Sequence, residues 1–176
     1  MQRVESEPQD EAGSTRLLSV EDQEQRIRNI LLGQLSRAMK TRHQLSLVLL
    51  RKECDPTLFE PILDRYEEAG LINDREYARA FVASRIQSKG VSRSAARREL
   101  RTRGVSDELI EAALADVSSE DEIAKATELA ERKLRSMSAL DTQVATRRIF
   151  GFLQRRGYSS STASDAIRRA KSQAVN

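Results

Sequence analysis

The sequence predicts an all-α fold of tandem three-helix repeats, about nine helices in a short solenoid-like stack. Three observations predict it. Apolar residues recur at three- and four-residue spacing, and no alternating run reads as a strand. Gly and Pro are few, 7 and 3 in 176 residues, so helices run uninterrupted until a glycine stops them. One pattern also returns along the chain. Leu100-Arg101-Thr102-Arg103-Gly104-Val105-Ser106 matches Leu153-Gln154-Arg155-Arg156-Gly157-Tyr158-Ser159 at an offset of 53 residues, and Leu49-Leu50-Arg51-Lys52-Glu53-Cys54-Asp55 matches at 51. Each copy holds an inward Leu, basic residues, a helix stop, a small apolar plug and a new cap, the mark of a short solenoid-like stack.

Taken in order, residues 1–19 are polar and acidic and read as a disordered lead. The first repeat spans 20–70. Ser19 caps its first helix, with Glu21 and Asp22 in the turn where the helix dipole favours acids and Ile27, Ile30, Leu31 and Leu35 inward. A second helix follows from Thr41 with Leu45, Val48, Leu49 and Leu50 inward. Asp55-Pro56 starts the third, because Pro suits a first helical turn. That helix buries Leu58, Phe59, Ile62, Leu63 and Tyr66 and stops at Gly70.

The second repeat, 71–117, is the clearest. Asn73 or Asp74 caps a helix with Tyr77, Ala80, Phe81 and Ile86 inward, running to Lys89-Gly90. Ser92 caps the next, with Ala96 and Leu100 inward, and Gly104 ends it. Ser106 caps the last, over Leu109, Ile110, Ala113 and Leu114. The third repeat, 118–176, opens near Ser119 with a long helix over Ile123, Ala126, Leu129, Ala130 and Leu134. Asp141 caps a helix with Val144, Ala145, Ile149, Phe152 and Leu153 inward, and Ser159 or Ser160 opens the final one.

Charge narrows the function. Seven of the 27 acidic residues fall in the first 24 positions, so a basic body follows an acidic lead. Of the 30 basic residues, 24 are Arg, whose planar fork suits phosphate or carboxylate. Arg93, Arg97 and Arg101 form a stripe on the middle helix of the second repeat. Arg147, Arg148 and Arg155 lie on the outer side of its counterpart in the third, and Arg85, Lys89, Arg98, Arg103 and Arg156 extend the field. If equivalent helices stack, these residues form one surface for a polyanion or an acidic protein groove. The aromatics fall at core spacing and offer no stacking platform.

Catalytic patterns are missing. One Cys and one His rule out an intrachain disulfide and a Cys/His metal cluster. His43 has no partner in register and reads as solvated, and Cys54 reads as a small buried hydrophobe. No P-loop, dinucleotide fingerprint or nucleophile–base pair occurs, so the expectation is a non-enzymatic protein without cofactor or metal. Neither a signal-peptide pattern nor a bilayer-length apolar run is present, so the expected place is the cytoplasm.

Several stretches resemble the RecX family, the bacterial regulators of the RecA recombinase. They are Gly70-Leu71-Ile72-Asn73-Asp74-Arg75-Glu76-Tyr77-Ala78, Phe81-Val82, Ser84-Arg85, Arg97-Arg98-Glu99-Leu100, Arg103-Gly104-Val105, Asp107-Glu108-Leu109-Ile110 and Ala113-Leu114. Phe152-Leu153-Gln154-Arg155-Arg156-Gly157-Tyr158 is similar to the family's C-terminal signature. Glu53-Cys54 departs from it, standing where the family commonly has glycine and an apolar or aromatic residue. Gln44-Leu45 departs too, where an acid before the leucine is usual. The resemblance implies that the repeats form an elongated, curved stack, a monomer that docks in the groove of the RecA–single-stranded-DNA filament and mostly restrains it, with weak direct DNA contact through the arginines. Two other readings stand beside it. One is a stand-alone nucleic-acid-binding module of helix-turn-helix type, which the acids of its would-be recognition helix (Asp107, Glu108, Glu111, Asp116) oppose. The other is a neutral protein scaffold.

Overall fold

The computed structural model describes residues 19–173, and these form nine helices and no strand. The acidic lead expected over 1–19 lies outside the described residues, except for Ser19. The first trio is α1 (Val20–Leu35), α2 (Arg42–Arg51) and α3 (Pro56–Glu68). The second is α4 (Asp74–Val82), α5 (Arg93–Thr102) and α6 (Asp107–Leu114), and the third is α7 (Ser119–Ser136), α8 (Thr142–Arg155) and α9 (Ser160–Gln173).

Side-chain caps set the helix starts. Ser19, Thr41, Asp55, Asn73, Ser92, Ser106, Ser118 and Asp141 each accept a backbone N–H of the first turn, and Ser159 does the same for α9. Thr41 with Gln44 and Ser118 with Asp121 complete reciprocal capping boxes. Ser19 instead donates its hydroxyl to Asp22 at 3.0 Å. Gly70, Gly90, Gly104 and Gly157 follow helix ends with φ of 71°, 60°, 77° and 88°.

Each trio closes its own core. Ile27, Leu31, Leu45, Leu49, Phe59 and Leu63 centre the first, with Cys54 buried beside them. Ala78, Val82, Ala96, Leu100, Ile110 and Leu114 centre the second, and Ala126, Ala130, Ile149, Leu153, Ala163 and Ile167 the third.

Three inward assignments are corrected. Leu50 is 48% exposed, because α2 packs on Leu45 and Leu49 alone. Val144 is 44% exposed, because it lies in the first turn of α8, beyond the packed part of the trio. Ala80 faces solvent while Ala78 is fully buried. A further difference is that α4 does not run evenly to Lys89. It passes into a π-helical turn at Ala83–Ser88. That wider turn keeps Ala78, Val82 and Ile86, spaced by four, over one face.

The trios meet through a joint made twice. Thr41 Oγ1, at the start of α2, donates to the carbonyl of Arg103, at the end of α5, at 2.6 Å. Ser92 N–H, at the start of α5, donates to the carbonyl of Arg156, at the end of α8, at 3.0 Å. A Cβ on Gly104 would lie 2.2 Å from His43 Cβ, and one on Gly157 would lie 2.6 Å from Ala95 Cβ. Acids from the next trio complete the joint: Asp74 accepts the Arg42 N–H at 3.0 Å, and Glu122 accepts the Arg93 N–H at 2.9 Å. The middle helices therefore follow one another end to end, α8 into α5 into α2.

Candidate functional site: a basic cleft between the second and third trios

Where α8 meets α5 the surface opens into a cleft of about 550 Å³. The π turn and the residues after it supply Arg85, Ser88 and Lys89, α7 supplies Arg132, and the end of α8 supplies Phe152, Arg155 and Arg156. Glu99 is the one acid in its wall. A smaller hollow of about 270 Å³ adjoins it, sharing Phe152 and Arg155 and adding Lys133, Arg147 and Arg148. Together they make a continuous cationic surface on the third trio.

Two of its cations are held in place. Arg156 donates from Nη1 to the carbonyl of Lys89 and stacks over the Phe152 ring at 4.7 Å. Lys133 Nζ lies 5.0 Å from the same ring. Tyr158, buried in the joint beneath, donates its hydroxyl to the carbonyl of Gly90 at 3.2 Å. Burial pushes its phenol up to about 12, so it stays a donor. Arg147, Arg148 and Arg155 are exposed, and no acid among the described residues pairs with them.

The second trio repeats this arrangement in neutralised form. Arg85 and Arg103 lie 5.4 and 4.6 Å from the Phe81 ring. Glu99 accepts from Arg85 at 2.5 Å and lies 3.6 Å from Arg103. Leu100 and Leu153 being equivalent, Phe152 stands at the position of Glu99. The two middle helices thus differ at this position, with a carboxylate pairing the second trio's arginines and a ring carrying the third trio's cations.

The expected arginine field therefore divides. Arg85, Lys89, Arg155 and Arg156 converge in the cleft, and Arg147 and Arg148 continue it. The stripe of Arg93, Arg97 and Arg101 goes elsewhere. Arg97 holds Glu111 through two bonds of 2.7 and 2.9 Å, and Arg101 holds Asp107 at 2.6 Å. These bonds lower both carboxyls and raise both guanidiniums. Arg93 turns towards the Leu114 carbonyl at 3.5 Å, and Arg98 is exposed on α5 outside the cleft.

Arg132, Lys133 and the two ring platforms are additions to the residues read from sequence. Against expectation, Phe81 and Phe152 do interleave with cations, because each is only half buried at the rim of its core. His43 is exposed but lies over Gly104. Among the described residues, no group of three or more His, Cys, Asp or Glu is placed to hold a metal, and no helix is long and apolar enough to cross a membrane.

Comparison with known proteins gives this geometry a family. The descriptions of the second and third three-helix domains of RecX match residues 73–114 and 120–167. The regulatory protein RecX of Streptomyces coelicolor is 40% identical over 149 residues, 85% of this chain and 79% of that protein. That of Thermobifida fusca is 40% identical over 84% of this chain and 80% of its own. The fold matches the crystal structure of RecX from Lactobacillus salivarius with a TM-score of 0.74 at 21% identity, covering 86% of this chain and 98% of that one. With two of its helix trios matched in order and such identity over most of its length, this chain belongs to the RecX family.

Proposed function

We propose that this protein binds RecA and the RecA–single-stranded-DNA filament and mostly inhibits RecA's recombinase, ATPase and coprotease activities. It acts in the cytoplasm as a monomer, without cofactor or catalysis of its own, through repeats at 20–70, 71–117 and 118–176. The observation that carries the reading is the cationic cleft on the third trio, in a chain related to proteins named for regulation. Its unpaired arginines suit a phosphodiester backbone or an acidic filament groove, and the Phe152 ring beside them holds Arg156 and Lys133 in fixed positions. A stand-alone helix-turn-helix reader gains no support. The α5 arginines Arg97 and Arg101 are engaged with Glu111 and Asp107 of α6, and the acids of α6 oppose the approach of a phosphate backbone.

The test is the single-stranded-DNA-dependent ATPase of the cognate RecA with this protein added below stoichiometry. The parent inhibits, and an Arg148→Glu, Arg155→Glu variant loses the inhibition at unchanged helicity. Full activity of RecA in the presence of the parent overturns the reading.

A further inference from the structure

The repeated joint has two halves, and each end of the array leaves one unused. Counting from the equivalent Leu49, Leu100 and Leu153, the carbonyls of Arg103 and Arg156 that receive the neighbouring helix correspond to that of Lys52. Gly104 and Gly157, where the neighbour approaches, correspond to Glu53. On the other half, Thr41 and Ser92, eight residues before Leu49 and Leu100, correspond to Ala145.

Both unused halves are occupied by the chain itself. Arg26 of α1 donates from Nη2 to the Lys52 carbonyl at 3.0 Å, filling the acceptor used by Thr41 and Ser92 elsewhere. Glu53 takes a φ of 58°, the conformation that glycine supplies in the other two copies. It places a Cβ and a charge where those copies have room only for hydrogen. At the opposite end α8 begins one turn earlier than α2 and α5. Asp141 caps that added turn through the N–H groups of Gln143 and Val144. Ala145 has no hydroxyl to offer, and its N–H is already bonded to the Asp141 carbonyl at 2.9 Å.

We infer that the two ends are complementary halves of the same joint, closed by Arg26 and Glu53 at one end and by the Asp141–Val144 turn at the other, so that a second copy cannot extend the array head to tail. An open heterologous contact of this kind does not close on itself and leads to chains of subunits. Closure of both halves removes this head-to-tail route of self-association.

Two half-opened proteins test the inference. One carries Arg26→Ala with Glu53→Gly. The other carries Gln143→Gly with Ala145→Ser, which restores the Gly-Val-Ser order of residues 90–92. Each alone keeps the sedimentation mass of the parent, and an equimolar mixture shows about a twofold greater mass that grows with concentration. A mixture of two folded variants that stays at the parent mass overturns the inference, as does a parent that associates end to end. Should the second variant lose helicity, hydrogen exchange on the parent decides. Protection of the Ala145 amide matching that of the α8 interior supports closure, and exchange at the rate of an open chain overturns it.

Discussion

Arg156 and Ser92 share one hydrogen bond of 3.0 Å, and that bond sets the end of α8 against the start of α5. It places Gly157 under Ala95 and brings Arg156 to the rim of the cleft.

Gly157→Ala is expected to destabilise the protein by about 2–4 kcal/mol, because strain at φ 88° adds to a 2.6 Å approach to Ala95 Cβ. Gly70→Ala, with φ 71° but open space around it, is expected to cost only about 1 kcal/mol. Urea denaturation of the two variants separates strain from contact, and equal losses would contradict the joint.

Tyr158→Phe removes the hydroxyl bond to Gly90 and is expected to cost about 1 kcal/mol. Its ionisation provides a second measurement. Tyr158 releases its proton at about 12, against 10.0 for the ordinary phenol. Folding therefore loses stability as pH rises above about 10, where the unfolded chain ionises first, and the loss levels off above about 12. An ultraviolet titration should show a step near 12 in the parent that is missing in the Phe variant.

Glu99→Gln is expected to release Arg85 and Arg103 from their shared carboxylate and extend the cationic surface onto the second trio. Affinity for single-stranded DNA at low salt should rise by roughly threefold to tenfold, with a steeper salt dependence. Unchanged affinity and salt slope would show that this part of the cleft does not meet the polyanion.

Asp74→Asn keeps an acceptor for the Arg42 N–H and removes a carboxylate whose pKa burial raises. An acid with a raised folded pKa stabilises the fold below its unfolded value and loses that contribution as pH climbs through the folded one. The variant should thus be slightly more stable at pH 7, by no more than about 1 kcal/mol after solvent screening, and the difference should vanish in acid. Thermal melts at several pH values check it.

Much of the fold was legible because its signals are local. Caps such as Ser92 and Ser106, stops such as Gly104 and the spacing of Ile110 and Leu114 each act within one helix. The π turn was not legible, since Ala83–Ser88 carries no glycine or proline to mark it. The site was legible only as charge. Arg97 and Arg155 are alike in sequence, yet one is held by Glu111 and the other is exposed in the cleft. That difference depends on which helix lies opposite, as does the pairing of Phe152 on α8 with Lys133 on α7, whereas Phe152 and Arg156 stand four apart at the end of one helix, a spacing the sequence does carry.

The three separate cores bear on how the molecule comes apart. Each trio buries its own apolar residues and meets its neighbour mainly through hydrogen bonds and glycine contacts. Unfolding then follows nearest-neighbour cooperativity along a line, with outer trios melting from a middle one that both joints support. Loss of the first trio breaks one joint and leaves the cleft standing, whereas loss of the second breaks both.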